Sequence, residues 1–507
     1  MRAIQLVPAA AVLVALGVIG GVAQLDHPAV PRQAAAVTRQ VAVTSAARAC
    51  PPAPGSGSAP VTLLGGRAGA AGTPGPGSQG DHIDLTALPP AGLTLRPASP
   101  ASPVRVSAPG DFSLLTLPAG TVTGKKAGSV AQGWSVTGTG SMAQALEAEL
   151  ADSTGMASVR CGAPGSDLWF VGPGQQNGAS KIQIDLMNVD SLAASANISV
   201  ITDAGQAQAG NDAGITVPAH QTVTESLSSA ASGSSVVAIE VHTSTGRVAA
   251  DVSETSSSSG TPNWLPSTAA PSTRLVIPGV PPSSSAAGLF VANPGNSSAK
   301  VTVTAITPQQ TLRPFGAQSI ELPGQSASYV ALSPLGGTTA ALEITSNVPV
   351  VAGVLVPGSG SGAATAATAP ISEQAVIAGN TSGSGLAASV VLSAPGAAAR
   401  ARLTEIAPAS RGDGSVTASQ IVSVKAGRTL AAPVAAPHGA RHGSAFAVVI
   451  TPLAGSGPLY AARVETKGQN TVVSIIPAAS ALTTISLPPV RDSYDAQGQG
   501  GLGGQGG

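Results

Sequence analysis

The stretches ITVPAHQTV (residues 215–223), IELPGQSAS (residues 320–328) and VSVKAGRTL (residues 422–430) decide the predicted fold of this 507-residue chain. In each stretch, apolar and polar residues alternate on both sides of a central bend, which is the pattern of two strands joined by a tight turn. The three stretches begin about one hundred residues apart, a common domain size. This recurrence predicts a repeated β unit.

Other parts of the unit recur in the same order. The opening strand reads LWFVGPG from Leu168, LVIPG from Leu275 and AVIAG from Ala375. Turn signals follow at residues 188–190, 293–295 and 394–396, and a closing strand begins at Ala238, at Ala341 and, more loosely, at Ala461. Short runs of Val, Ile, Leu and Thr cut by Gly, Pro and Asn predict an all-β fold with three tandem Ig-like antiparallel β-sandwich units.

The predicted boundaries follow from these copies and from the Pro-, Gly- and Ser-rich stretches between them. In chain order the segments are an N-terminal signal anchor or signal peptide (1–30), a linker (31–49), a first β-sandwich with an irregular N-terminal lobe (50–260), a linker (261–273), a second β-sandwich (274–356), a linker (357–370), a third β-sandwich (371–490) and a disordered Gly/Gln tail (491–507).

The composition sets limits on the interior and on the partners. Aromatic residues make up only 2% of the chain and apolar residues 43%, so the cores must be built from small aliphatic side chains. Charged residues make up 9% and the formal net charge is zero. A nucleic-acid partner is not expected, because phosphate binding requires a basic patch.

The N-terminal segment predicts export. Arg2 precedes an uncharged run from Ala3 to Leu25, which as a helix of about 1.5 Å per residue is just long enough to cross a hydrocarbon core of about 30 Å. Alternatively, the small residues Gly21-Val22-Ala23 fit a cleaved signal peptide. Either interpretation places the rest of the chain outside the cytoplasm, on a single membrane span or secreted.

Two cysteines, Cys50 and Cys161, are the only ones in the chain. Two cysteines in an exported chain commonly pair, and a disulfide closing a loop of about 110 residues stabilises by about 4 to 5 kcal/mol in the chain-entropy model. The alternative is a pair of buried free thiols. A zinc site is not expected, because no histidines lie nearby to complete the ligand set.

One helix is predicted. Ser141-Met142-Ala143-Gln144 resembles a capping box, Leu146 and Leu150 are four residues apart, and Gly155 would end the helix. On this helix Glu147 and Glu149 would lie on different faces and in solvent.

The aromatic residues give two further expectations. Strand alternation should direct one ring of the pair Trp169-Phe170 into the first core and place the other under the N-terminal lobe. Alternatively, the outer ring stacks on a ligand. A glycan-binding surface would require Trp134, Trp264 or Tyr329 to be exposed on a flat face.

No catalytic, cofactor-binding or metal-binding residues are predicted. The pair His438-x-x-x-His442 lies in the Gly-rich loop APHGARHGSA, where the four-residue spacing does not place both rings on one helix face. The sequence lacks a G-x-S-x-G turn for a nucleophilic serine.

Three motifs stand out: the early Cys50-Pro51, Cys161 followed by Pro-Gly-Ser-Asp-Leu-Trp-Phe from Pro164, and LFVANPG from Leu289. With these motifs the chain resembles a family of large secreted or membrane-anchored actinobacterial proteins known only as a domain of unknown function. The resemblance extends from about Cys50 to Val490. It implies an envelope location and a β architecture, and it brings no catalytic residues.

Three classes of function follow as hypotheses. The first is a non-catalytic envelope scaffold whose partner is a cell-envelope protein or a wall polymer, with the membrane contacted through the N-terminal helix. The second is a binding module for wall glycan or a secreted protein, and the third is an enzyme. A scaffold predicts no concave pocket with convergent polar groups, whereas an enzyme predicts such a pocket with perturbed titratable residues.

Overall fold

The computed structural model of the protein describes residues 39–52, 60–66, 82–91, 112–118, 133–151, 158–207, 213–257, 262–282, 287–333, 335, 337–356, 362–381, 385–411, 415–468, 471–481 and 484–487. In these residues the regular structure consists of β-strands and two short 3-10 helices, Gly140–Ala143 and Gln175–Asn177. The strand ladders of residues 45–481 are antiparallel. The predicted all-β class is confirmed.

Residues 45–160, which we call the N-terminal lobe, form two regular sheets. The strands up to this point are β1 (Arg39–Ala42), β2 (Ser45–Cys50), β3 (Pro60–Gly66), β4 (His82–Leu88), β5 (Phe112–Pro118), β6 (Gly133–Thr139), β7 (Glu147–Ala151) and β8 (Ser158–Arg160). One sheet has the order β2-β6-β4 and the other has the order β5-β3-β7-β8. The described part of the lobe consists of these sheets, and much of the stretch predicted as an irregular lobe, including residues 67–81 and 92–111, lies outside the described residues.

The helix predicted from Ser141 to Gly155 is wrong. One 3-10 turn, Gly140–Ala143, is followed by strand β7. The spacing of Leu146 and Leu150 fits a helix, but the β7 sequence EAELA also alternates with a period of two. The strand forms because Ala148 and Leu150 enter the lobe core while the two glutamates lie on the opposite face, which is also buried.

The first pair of sheets follows the lobe. Its strands are β9 (Asp167–Pro173), β10 (Ala179–Met187), β11 (Ala194–Thr202), β12 (Gly205–Ala207), β13 (Ile215–Val217), β14 (Thr222–Ser226), β15 (Val236–Thr245), β16 (Ala249–Ser256), β17 (Pro262–Leu265) and β18 (Ser267–Thr268). One sheet has the order β14-β10-β16-β17. The other has the order β12-β11-β15-β9-β18, with β13 also paired to β11.

In the second pair, a single long strand joins the two layers. The strands are β19 (Ser272–Val280), β20 (Ala287–Asn293), β21 (Ala299–Ile306), β22 (Thr311–Leu312), β23 (Ile320–Leu322), β24 (Ser326–Leu332), β25 (Ala340–Val356) and β26 (Ala363–Ala366). The first half of β25 pairs with β19 and β21, and its second half pairs with β20 and β26. Pro349 lies at the exposed crossing between the layers.

The third pair completes the sheets. Its strands are β27 (Gln374–Asn380), β28 (Leu386–Ala394), β29 (Ala399–Pro408), β30 (Ser415–Val424), β31 (Arg428–Val434), β32 (Phe446–Pro452), β33 (Tyr460–Lys467), β34 (Thr471–Pro477) and β35 (Ala479–Ala481), and the last strand of the chain is β36 (Thr484–Leu487). The sheet orders are β30-β29-β32-β27-β35 and β31-β28-β33-β34.

Corresponding turns share an unusual backbone conformation. The turns that precede β14, β24 and β31 have positive φ at His220 (53°), Gln325 (54°) and Gly427 (65°). His220 and Gln325 are the two non-glycine residues with positive φ in the described part of the chain. The three quoted stretches that predicted the repeat therefore form the same turn.

The turn signals at Asn188 and Asn293 also correspond. Both asparagines are buried, and each Nδ2 donates to the carbonyl oxygen four residues later, at 2.8 Å in both cases. Each Oδ1 accepts from the backbone N–H two residues later. The sequence Asn-Val-Asp thus makes the same turn contacts as Asn-Pro-Gly.

The third closing strand was assigned to the wrong element. Strand β15, which contains Ala238, pairs between β11 and β9, and the equivalent position between β29 and β27 belongs to β32. Ala461 lies in β33, which corresponds instead to β16. In the second pair, the strands that correspond to β32 and β33 are the two halves of the continuous strand β25. In the third pair, a loop of residues 453–459 separates β32 from β33, and this loop caused the error.

Small aliphatic side chains fill the space between the sheets. Ala, Val, Ile and Leu dominate all three cores, with Phe170 in the first and Phe446 in the third. Phe170 thus points into the first core. Trp169 packs in a cluster with Phe290 and Val351 of the second pair, not under the lobe, which corrects that expectation.

A closed series of contacts joins the lobe and the three pairs within residues 42–483, which form one compact unit. The first pair meets the second through the Trp169 cluster, and the second core continues into Val464 and Ile475 of the third pair. The lobe contacts the first and the third pairs of sheets. Leu64 of the lobe packs in one cluster with Ile406 of the third pair, and Leu88 packs in another with Met187 of the first pair.

Stretches predicted as linkers contain strands. β2 begins inside the predicted linker 31–49, β17 and β18 lie within 261–273, and β26 lies within 357–370. Their Ser-, Pro- and Ala-rich sequences form short strands at the edges of the sheets.

Strands β1 and β36 form a two-stranded sheet. They belong mainly to a second unit, of which the structure describes residues 39–41 and 484–487. The predicted export segment (1–30) and the predicted tail (491–507) lie outside the described residues. Within the described ranges, the structure has no helix that is both long and apolar enough to span a membrane.

Candidate functional site

A cavity of about 320 Å³ lies where the lobe meets the first and third pairs of sheets. Its wall is formed by Leu168 and by residues of five short segments, 158–163, 250–251, 264–270, 367–369 and 475–480. Two of these segments are joined by the hydrogen bond from Ala269 N to Ala367 O (2.7 Å). The volume is at the lower end of the range for small-molecule sites, roughly 300 to 1,000 Å³.

Asp251 supplies the carboxyl group of the wall. Its strand neighbours Ala250 and Val252 belong to the first core, so strand alternation turns Asp251 to the opposite face. It is only 5% exposed, and Asp185 lies directly opposite it in the register of β16 and β10.

Burial raises the pKa of Asp251 well above its ordinary value, and the negative charge of Asp185 raises it further. The positive charge of Arg160 and the hydrogen bond from the Gly162 N–H lower the pKa of Asp251, but by less. Burial also raises the pKa of Asp185 to about 6, against the hydrogen bond that Thr224 Oγ1 donates to Asp185 Oδ1 (2.5 Å). The pair therefore favours a bound proton, because two neighbouring buried carboxylates repel each other.

Arg160 supplies the guanidinium group of the wall. Its strand neighbour Val159 enters the lobe core, so Arg160 lies on the outer face of β8. Its Nη2 donates to Glu147 Oε2 at 2.6 Å, and Arg48 Nε lies 3.8 Å from the same oxygen. Glu147 thus neutralises part of the positive charge beside the cavity.

Three buried polar atoms of cavity-lining residues have no hydrogen-bond partner among the described residues. They are Asp251 Oδ2, Arg160 Nε and Thr368 Oγ1. Each comes from a different wall, namely the first pair, the lobe and the segment 367–369. Buried polar atoms are normally paired, so these three are exceptions, and their neighbours shut each of them off from solvent.

A buried ion cluster adjoins the cavity at Ser158. Arg463 of β33 is 0% exposed, and its Nη1 lies 2.6 Å from Glu149 Oε1 and donates to Gly379 O at 2.7 Å. Its Nη2 donates to Ser158 Oγ (2.7 Å) and to Ser474 Oγ (2.8 Å). Arg463 therefore joins the lobe to the third pair of sheets.

A second carboxylate, Glu465, completes the cluster. Its Oε2 lies 3.7 Å from Arg463 Nη2, and its Oε1 accepts from Thr381 N (2.8 Å) and Thr381 Oγ1 (3.0 Å). Burial raises the pKa of Glu465, opposed by the positive charge of Arg463. The carboxylate thus depends on Arg463 for its charge balance.

Gly379 holds the Glu149 carboxylate at close range. Its N–H donates to Glu149 Oε2 at 2.9 Å, and a Cβ at this position would lie 2.7 Å from Glu149 Cδ. Only glycine leaves room for this contact. The ion cluster is therefore a structural connection that depends on close packing across the interface.

The chemistry available at the cavity is hydrogen bonding and the holding of a proton. The described lining residues include one carboxyl, one guanidinium and several hydroxyl groups, and no His, Cys or Lys. They form no pair of nucleophile and base. In the part of the chain that the structure describes, no group of three or more His, Cys, Asp or Glu residues is placed to hold a metal ion.

The predicted disulfide is present. Cys50 and Cys161 are joined with their Cα atoms 4.3 Å apart, and both are fully buried in the lobe core. The bond ties β2 to the residue that follows β8.

The other residues considered in the sequence lie apart from the cavity, with one exception. His438 and His442 are exposed in the loop between β31 and β32. Trp134 and Trp264 are buried in the lobe core, and Trp264 also lines the cavity. Tyr329 is 37% exposed and packs on Phe290 with a ring-centroid distance of 5.4 Å. The two tryptophans thus form no exposed platform.

Sequence reasoning missed the charged residues of the site. Glu147 and Glu149 were placed in solvent on a helix, whereas both are buried in β7. The signal was the alternation of EAELA, which fits a strand with one apolar and one charged face. Asp251 and Arg463 similarly interrupt apolar runs in the strands AADVSETS and YAARVETK.

These features define a class of protein by its architecture: antiparallel, sandwich-like sheets packed together, with one buried disulfide and a cavity at their junction. The chain belongs to a family of unknown function, DUF5719, whose model matches residues 107–435. This confirms the resemblance to a domain of unknown function, over a shorter span than the predicted 50–490. No curated protein matches the chain.

Proposed function

We propose that the protein is a non-catalytic interaction scaffold of the cell envelope. In this proposal, three tandem Ig-like units follow an N-terminal segment that either anchors the chain or is cleaved after export. The scaffold presents a fixed surface to a partner in the envelope, either a protein or a wall polymer.

The ion cluster around Arg463 is the observation that carries this proposal. It joins residues up to 316 positions apart, since Ser158 contacts Ser474, and it holds the lobe on the last pair of sheets. A body closed in this way keeps its surfaces at fixed distances, as a scaffold requires. The buried disulfide supports export, because such bonds form and persist in oxidising compartments.

Two measurements on intact cells test the proposal. Added protease should degrade the protein without lysis, and non-reducing peptide mapping of the cellular protein should recover Cys50 joined to Cys161. Crosslinking with mass spectrometry should then identify a defined envelope neighbour. Protection from protease together with free thiols would rule out export, and crosslinks to bulk membrane proteins alone would rule out a scaffold with a specific partner.

The cavity favours a second candidate function, a binding module. A scaffold was expected to lack a concave pocket with convergent polar groups, and the cavity lined in part by Asp251, Arg160 and Thr368 goes against that expectation. Glycan binding on an open surface gains little support from Trp134 and Trp264, because both are buried. A binding function would therefore use the cavity.

A further inference from the structure

We infer that the free edge of strand β30 (Ser415–Val424) binds an extended segment of a partner protein, and that Glu405 beside this edge selects a lysine or arginine in that segment. The inference rests on the scaffold proposal, because it names the surface and the kind of partner that such a scaffold uses. It concerns the third pair of sheets and not the cavity that Asp251 lines.

Strand β30 differs from the strands at the corresponding edges of the other two pairs. Next to β11 that edge consists of β12 and β13, and next to β21 it consists of β22 and β23, each with two or three residues. Strand β30 pairs with β29 over all ten of its residues, without a bulge. The third pair therefore ends in a long, regular edge, where the other two end in short, interrupted ones.

The sequence of β30, SVTASQIVSV, lacks the features that normally protect such an edge. It contains no proline and no charged residue, and in the described part of the chain β29 is its only strand partner. An open edge presents unpaired N–H and C=O groups, which can pair with an added strand. Ile421 is 54% exposed on this edge and offers an apolar contact to that strand.

The inner face of β30 is open in its middle. Val422 enters the third core, so strand alternation also turns Ala418 and Gln420 inward, yet both of these residues are exposed. They line a second cavity, of about 400 Å³, together with residues 433–438. Gln420 Nε2 spans the gap between the two sheets, since it donates to Glu405 Oε1 (2.9 Å) and to a carbonyl oxygen of β31 (3.1 Å). A strand added beside β30 would direct its inner side chains to this cavity.

Glu405 supplies the carboxyl group of this cavity. It lies on β29 directly opposite Ala418, on the face that Leu403 turns to the third core. It makes no ion pair with a described residue, and His438 is the other ionisable residue of the described wall. Unlike Asp251 Oδ2, neither oxygen of Glu405 is a sealed atom without a partner. A cationic group of the partner is the complement of this carboxylate.

The spacing of the strands favours a long basic side chain. Neighbouring strands lie about 4.8 Å apart, so a residue of the added strand opposite Ala418 is about 10 Å from Glu405. Lysine and arginine are long enough to reach the glutamate across the small side chain of Ala418. A second copy of β30 has no basic residue to offer, so it does not fit the site.

Fluorescence anisotropy with labelled peptides and the full-length, disulfide-bonded protein tests the inference. The main probe is a capped peptide of alternating threonine and valine whose central valine is replaced by lysine. Its control carries norleucine there, which has a similar chain without the charge. The lysine peptide should bind about tenfold more tightly, as expected for a hydrogen-bonded charge pair.

Two N-methylated forms of the lysine peptide test for strand pairing. One is methylated at every second residue, and the other at the residues between. Alternate residues of a strand direct their N–H groups to opposite sides, so only one form keeps the hydrogen bonds to β30. That form should bind, and the other should not.

Three variants locate the site. Glu405→Gln should remove the preference for lysine and leave the norleucine peptide bound as before, because the amide keeps the shape of the side chain without its charge. Ala418→Trp fills the space under the added strand and should weaken both peptides by about tenfold or more. Ala398→Trp, at an exposed position of the third pair outside this cavity, is the matched control and should bind like the wild type. Thermal melting of each variant verifies folding.

The outcomes separate the alternatives. A lysine preference that Glu405→Gln removes, together with one inactive methylated form, supports the inference. Lack of peptide binding, equal binding of the lysine and norleucine peptides, or equal binding of the two methylated forms would overturn it. A dimer in sedimentation equilibrium that Ala418→Trp dissociates would also overturn it, since a second copy would then fill the edge. These experiments use purified protein, so their failure leaves the protease and crosslinking tests of the scaffold proposal unaffected.

Discussion

Glu149 and Asp251 are both buried carboxyl groups on strands that border the same interface, yet their surroundings differ. Glu149 faces a guanidinium group at 2.6 Å and accepts a backbone N–H at 2.9 Å. Asp251 faces another carboxyl group, Asp185, and its Oδ2 has no partner among the described residues. The two side chains are buried to a similar extent, so the charged groups that face them determine what each carboxyl group does.

The comparison separates a buried carboxylate held by a cation from a buried carboxyl group that favours its neutral form. A carboxylate with a buried cation partner stabilises one arrangement of the sheets, and removing the cation leaves a costly unpaired charge. A carboxyl group without such a partner tends to hold a proton. We therefore assign Glu149 to the connection between lobe and third pair, and Asp251 to the cavity.

The largest effect is expected for Arg463→Met. The variant leaves Glu149 and Glu465 buried without their cation, so the free energy of unfolding should fall by about 3 to 5 kcal/mol. Urea denaturation at pH 7 measures this fall in the free energy of unfolding. A triple variant in which Glu149 and Glu465 also become Gln should recover part of the loss. A fall of less than about 1 kcal/mol in Arg463→Met would refute the structural role.

Gly379→Ala should also have a large effect, because it disturbs the same ion cluster. The new Cβ would lie 2.7 Å from Glu149 Cδ and force the carboxylate away from Arg463, at a cost of about 1 to 3 kcal/mol. The control is Gly396→Ala, because a Cβ there meets nothing within 4 Å and the backbone φ is not positive. Equal denaturation midpoints for the two variants would show that the close contact does not matter.

The Asp185–Asp251 pair should give stability a particular pH dependence. Its folded-state pKa values are raised, to about 6 for Asp185 and well above the ordinary value for Asp251. As pH rises, the unfolded chain therefore loses these protons first. The stabilising contribution is complete below about pH 4 and is lost as pH rises through the folded-state pKa values.

The double variant Asp185→Asn/Asp251→Asn removes this pH-dependent contribution to the free energy of unfolding. Relative to wild type, its free energy of unfolding should rise by at least about 2 kcal/mol between pH 4 and pH 7, measured by urea denaturation. Burial also raises the pKa of Glu254 to about 7, but Glu254 is present in both proteins, so the difference reports the pair. Parallel pH profiles would show that the pair does not hold a proton in the folded state.

The smallest effect is expected for Arg247→Met, a surface counterpart of Arg463→Met. Arg247 makes two hydrogen bonds to Asp190, at 2.8 and 2.9 Å, but the two side chains are 52% and 37% exposed. Solvent screens this pair, so the loss should stay below about 1 kcal/mol and shrink further in high salt. A loss as large as that of Arg463→Met would mean that burial does not distinguish the two pairs.

The repeated sheets could be predicted because their signals are local. The turns at His220, Gln325 and Gly427 leave the same apolar–polar pattern in three places, and the pairing of Cys50 with Cys161 was predicted from the expected export segment and the cysteine count. The third closing strand was misassigned because only an added loop distinguishes β32 from β33. Local patterns do not reveal which layer a strand joins.

The site could not be predicted in the same way. Glu149 and Gly379 meet across 230 residues, and nothing in the sequence near either one indicates the other. The strand EAELA also fits a short helix, and only its burial on both faces decides between them. The cavity wall consists mostly of Ala, Ser, Thr and Pro from several short segments, which are residues that look like linker when read in order.

The most direct test compares Arg463→Met with Asp251→Asn in the full-length protein, by urea denaturation at pH 7. Arg463→Met should lose about 3 kcal/mol or more. Asp251→Asn should lose nothing or gain stability, because the neutral amide has nearly the same shape as the carboxyl and does not repel Asp185. Similar losses in the two variants would contradict the division of these buried groups into an ion-paired connection and a carboxyl pair that holds a proton.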